Sequence, residues 1–146
     1  MCLVLTVRAP AAAHSALAAV AALPSGTLRV ELAPAPAHAP RWPWARPRDT
    51  EATVSEGGGC ACSLLAEDAD WDAEAWAMRA DVREPLAQTL EGLGAAVPGG
   101  VIIEALWVGE RPEREQRVTP AELAALARAG TLGTRTRYVV SVSPAI

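Results

Sequence analysis

The sequence predicts an α+β domain, a single mixed or antiparallel sheet of about five to six strands with two to three helices packed on it. Short β-branched apolar runs recur along the chain. Alanine-rich segments with start and stop signals alternate with them. No repeat or linker divides the 146 residues, the length of one ordinary domain, so residues 1–146 are read as one unit in the order β-α-β-(β)-β-α-β-α-β.

The first strand is "CLVLTVR", short and apolar. "PAAAHSALAAVAALPSG" follows as a helix, with Pro10 suited to a first turn, Leu17, Val20 and Leu23 recurring at helical spacing, and "PSG" as the stop. "TLRVELA" sets Leu28, Val30 and Leu32 against Arg29 and Glu31, the alternation of a half-buried strand. Residues 34–50, "PAPAHAPRWPWARPRDT", hold five of the twelve prolines and read as a long Pro/Trp/Arg-rich loop. "EATVS" and "CACSLL" are short strand candidates on either side of a glycine turn. "DWDAEAWAMRADVREPLAQTLEGLGAAVPGG" is the longest helical stretch, with Ala75, Met78, Val82, Leu86, Leu90 and Leu93 on one face; Pro85 is expected to kink or split it. "GVIIEALWV" is a strand, and "GERPERE" a solvated charged turn. In "TPAELAALARAG" a helix is framed by Thr119 as N-cap, Pro120, Glu122 three residues after the cap, and Gly130 as stop. "RTRYVVSVS" closes the chain, with Thr136, Tyr138, Val140 and Val142 sharing one strand face.

Composition narrows the function classes. Lys, Asn and Phe are absent and every basic residue is Arg, the codon signature of a GC-rich, bacterial genome. A net charge of −4 gives no reason to expect nucleic acid as a partner. No apolar run reaches the length of a membrane span. Three cysteines are too few for a disulfide framework, and "MCLVLTVR" is hydrophobic where a secretory signal is basic; both observations fit a cytoplasmic protein.

Two stretches are candidate sites. In "EGGGCACSLL", residues 56–65, a strand places Cys60 and Cys62 on one face. Joined by Cys2 from the first strand, they would offer three thiolates to zinc or copper, or a redox pair. The competing reading is a glycine turn entering a buried strand, since free cysteine packs as a small hydrophobe. In "RWPWARPR", residues 41–48, Arg41, Arg46 and Arg48 interleave with Trp42 and Trp44, residue types enriched among the anchors of protein interfaces. The competing reading folds the tryptophans back over a core short of aromatics. The acidic run with Asp68, Asp70 and Asp72 fails the calcium-loop template, because Ala73 and Arg79 stand where glycine and glutamate are required. Glu104, inside an apolar strand, is either buried with a partner such as Arg135 or Arg137 or turned outward.

No nucleophile, base and oxyanion donor stand at a recognised spacing. The sequence therefore points to a non-enzymatic module that binds another protein, in the manner of inhibitor or immunity proteins, or associates with itself as a homo-oligomer. No cofactor belongs to that reading. The alternative is a thiol-based metal-binding or redox protein.

Overall fold

The computed structural model describes residues 3–33, 49–57, 61, 64–65 and 78–142. The elements are β1 (Leu3–Ala9), a 3-10 turn (Ala11–Ala13), α1 (His14–Ala21), β2 (Leu28–Leu32), β3 (Thr50–Glu56), α2 (Ala80–Ala95), β4 (Val101–Trp107), β5 (Arg114–Val118), α3 (Pro120–Ala129) and β6 (Thr136–Val140). The strands form one sheet of six in the order β2-β3-β1-β4-β6-β5. Every neighbouring pair is antiparallel except β5 with β6, so the sheet is mixed.

Parallel strands need a crossover, and the helices supply one each. β1 and β2 run parallel with β3 between them and are joined through α1; β3 and β4 run parallel with β1 between them and are joined through α2. These two interleaved split β-α-β units have the strand order and directions of the ferredoxin-like arrangement. A third unit, β5-α3-β6, extends the sheet beyond β4.

Period-two alternation divides the sheet into two faces. On the first lie Leu3, Leu5, Val7, Ala52, Val54, Val101, Ile103, Ala105, Tyr138 and Val140, all 2% exposed or less. Leu17 of α1, Val82, Leu86, Leu90 and Leu93 of α2, and Leu123, Ala124 and Ala127 of α3 join them in one cluster. Each large side chain buried there contributes about 1.5–3 kcal/mol relative to exposure, which makes this face the main source of stability. Tyr138 replaces the missing phenylalanines as a core aromatic. Its hydroxyl accepts the Gly133 N–H at 3.0 Å, and burial pushes its pKa upward.

The helix ends follow their sequence signals. α3 has the full capping box: Thr119 Oγ1 accepts the Glu122 N–H at 3.2 Å, and Glu122 Oε2 accepts the Thr119 N–H at 3.0 Å. Gly130 closes it in the left-handed region at φ 74°. Arg79, the N-cap of α2, pairs with Asp81 and with Glu56 of β3, each at 2.6 Å; Arg128 of α3 reaches Glu84 of α2 at 2.8 Å.

Several expectations are corrected. Pro85 does not split α2, which runs unbroken from Ala80 to Ala95. The carbonyl deprived of its bond belongs to Asp81, an exposed residue of the first turn, and burial of Val82, Leu86 and Leu90 outweighs the ~3 kcal/mol cost of an interior proline. "CACSLL" is not a strand at its described residues: the Leu64 N–H bonds the Ala61 carbonyl in a 3-10 turn, and Ala61, Leu64 and Leu65 are all buried where a strand would turn them to opposite faces. The "GERPERE" turn leads into an unforeseen strand, β5. Leu23 and Val142 leave the faces assigned to them and are 63% and 51% exposed, because α1 ends at Ala21 and β6 at Val140.

Candidate functional site

The second face of the sheet takes the residues one step along the same strands. Register aligns Glu31, Thr53, Thr6, Glu104, Arg137 and Glu115 in a single row from β2 to β5. The adjacent row runs Glu51, Arg8, Ile102, Val139 and Arg117. Val4 and Leu106 face each other on the far side of Glu104. The described helices all send their buried side chains to the other face. Here Val4, Ile102, Leu106 and Val139 are only half-buried, and charged groups stand among them.

Glu104 is the centre of this surface. It is 7% exposed, the most buried carboxylate among the described residues. A carboxylate held that far from water needs counter-charges and donors. Arg8 of β1 donates its Nη2 to Glu104 Oε1, and Arg137 of β6 brings its Nη2 to 3.4 Å from Oε2. The two carboxylate oxygens are thus divided between strands on either side of β4. Arg137 continues the row to Glu115, with Nη1 3.9 Å from Oε1. Both arginines remain about one-third exposed, so solvent screens them while Glu104 stays covered. The trio carries a net charge of +1, set among apolar side chains.

A groove of ≈ 320 Å³ opens at one end of this face, where β1 and β6 finish and β4 starts. Arg8, Asp49, Ile102, Val139 and Ser141 line it. Gly100 forms its wall with φ 94°, and a Cβ at that position would lie 2.5 Å from the Val140 carbonyl oxygen, so glycine is required there.

Of the two sequence alternatives for Glu104 the buried one holds, with Arg137 as its strand partner, although its strand position is on the face away from the described helices. Arg135 reaches Glu110 at 3.8 Å. Arg8 escaped notice as a site residue, since only the β1–β4 register brings it to a carboxylate 96 positions away. The candidates Arg41, Trp42, Trp44, Arg46 and Arg48 lie outside the described residues, as do Cys2, Cys60 and Cys62. Among the described residues no group of three or more His, Cys, Asp and Glu could hold a metal ion. His14 Nδ1 stands 2.8 Å from Thr50 Oγ1, a spacing suited to a base and a nucleophile, but Thr50 is 1% exposed and out of reach of a substrate. The pair fastens the start of α1 to β3. Comparison with protein-family models, curated proteins and solved structures finds no match to this chain.

Proposed function

We propose that this chain is a non-enzymatic protein-binding module that uses the second face of its sheet, centred on Arg8, Glu104 and Arg137. The observation that carries the reading is the two part-exposed arginines fixed by one buried carboxylate inside a half-buried apolar patch. Interface centres combine apolar side chains with arginine, and a guanidinium already oriented by a carboxylate loses little freedom when a partner docks. The part-exposed guanidiniums suit a partner segment that offers a carboxylate flanked by apolar side chains. In the inhibitor or immunity reading, that partner is itself an enzyme or toxin neutralised by occupancy. The segment with Arg41, Trp42, Trp44, Arg46 and Arg48 joins β2 to β3 and belongs to the same proposal as a second set of anchors.

The test is capture of a partner by the immobilised protein from extract of its own cells, followed by affinity measurement with the purified partner. Leu106→Asp and the pair Trp42→Ala/Trp44→Ala are each expected to weaken binding ~10-fold or more. A Glu91→Gln control on α2, remote from this face, should leave it unchanged. A partner held equally well by Leu106→Asp would remove the sheet face from the account, and failure to capture any partner would remove the binding reading itself.

A further inference from the structure

We infer that β2 is the contact strand of a symmetric homodimer, pairing antiparallel with β2 of a second copy about a dyad at Val30. The inference stands apart from the reading of the sheet face and does not use the Arg8, Glu104 and Arg137 trio.

Among the described residues β2 is an edge of the sheet, bonded in it to β3 alone. The bonds from Ala33 N–H to the Glu51 carbonyl and from Gly57 N–H to the Thr27 carbonyl fix the phase of that ladder. In antiparallel pairing the bonded positions alternate, so Arg29 and Glu31 aim their backbone groups at β3 while Val30 and Leu32 aim theirs outward. Leu28 also points outward, but its N–H bonds the Ser25 carbonyl and its carbonyl accepts from Ser25 Oγ at 3.1 Å, which closes that end of the edge. An antiparallel copy centred on Val30 meets these constraints. The two Val30 residues form a hydrogen-bonded pair, and each Leu32 N–H finds the remaining lone pair of the opposite Leu28 carbonyl.

The side chains of "LRVEL" are self-complementary about the same dyad. Arg29 stands opposite Glu31 of the copy, and Glu31 opposite its Arg29. On the helix side Leu28 meets Leu32, and Val30 meets Val30. Arg29 and Glu31 are 65% and 63% exposed and lie 4.0 Å apart within the chain, so both are open to a partner. Apolar surface continues beyond the strand: a groove of ≈ 110 Å³ lined by Val20, Leu23, Val30 and Pro85 lies against it, with Leu23 63% exposed at the rim. The other edge, β5, also has opposite charges about its centre in "REQRV", but its first four residues are exposed. A charged edge ordinarily repels pairing; on β2 the order of the charges favours one antiparallel register instead.

Analytical ultracentrifugation of the full chain at ~100 μM is the test. The wild type is expected at twice the 15.2 kDa chain mass. Arg29→Glu and Glu31→Arg alone each set like charges opposite one another and should weaken the dimer ~10-fold or more. The double variant Arg29→Glu/Glu31→Arg, and an equimolar mixture of the two single variants, should restore it. A monomeric wild type overturns the inference, as does a dimer indifferent to these changes or one broken by Glu115→Arg on β5. Loss of partner capture by the sheet face would leave these results unaffected, so the two readings fail separately.

Discussion

On the helix side of the sheet, Leu5, Val7, Ile103, Tyr138 and Val140 are 2% exposed or less and carry no charge. One step along the same strands, Thr6, Arg8, Glu104, Arg137 and Val139 face the other way, with three charged groups among them. The backbone is common to both sets, and only the parity of the position differs. The first face gains its free energy from apolar area removed from water. The second has two deeply buried polar groups among the described residues, Ser55 and the Glu104 carboxylate, and buried ion pairs are weak evidence for stability because desolvation opposes the Coulomb gain. Stability therefore belongs mainly to the first face, and the recognition proposed above would draw on the second.

The largest contrast is expected from truncations in urea unfolding. Leu90→Ala, fully buried in α2, should cost about 2–5 kcal/mol, whereas Ile102→Ala on the second face should cost about 1 kcal/mol or less. Equal losses would break the division. Adding a methyl group sharpens it. A Cβ at Gly94 of α2 would lie 2.9 Å from Val140 Cγ1 and 3.3 Å from Pro120, so Gly94→Ala should destabilise by ~1–3 kcal/mol. Gly99, beside the groove of the second face, has nothing within 4 Å of the added atom, and Gly99→Ala should fall within about ±0.5 kcal/mol.

The smallest effect concerns acid. Hydrogen bonds from Arg79 and Arg128 hold the carboxyls of Asp81 and Glu84 below their ordinary range. A carboxyl lowered by folding contributes stability above its unfolded pKa and loses it as pH falls through the folded value, so the loss belongs below about pH 4. Both side chains are exposed, and the slope should be shallow. Thermal melts of Arg128→Gln and wild type between pH 3 and pH 7 should converge at the acid end. A difference that widens toward pH 3 would contradict this assignment.

The elements read most surely from sequence are those whose signals are local. α3 was legible from Thr119, Pro120, Glu122 and Gly130 because its capping bonds span three residues. β1, β2, β4 and β6 were legible from apolar runs or alternation. β5 was not, since four of its five residues are exposed and a charged edge strand bonded on one side shows no hydrophobic period. At the site, Glu104 drew attention as a charge within an apolar run, and Arg137 as a partner. That Glu104 is buried on the face away from the helices, and that Arg8 joins it, depends on sheet register, which short-range patterns do not encode.

The most direct measurement replaces the trio with apolar residues of similar size, Arg8→Met, Glu104→Leu and Arg137→Met together. Urea unfolding and partner affinity are then measured on the same protein. If the trio serves recognition, stability is unchanged within ~0.5 kcal/mol or increases, while affinity falls ~10-fold or more. A stability loss of about 3 kcal/mol with affinity intact would contradict the account and make the trio a structural clasp between β1, β4 and β6.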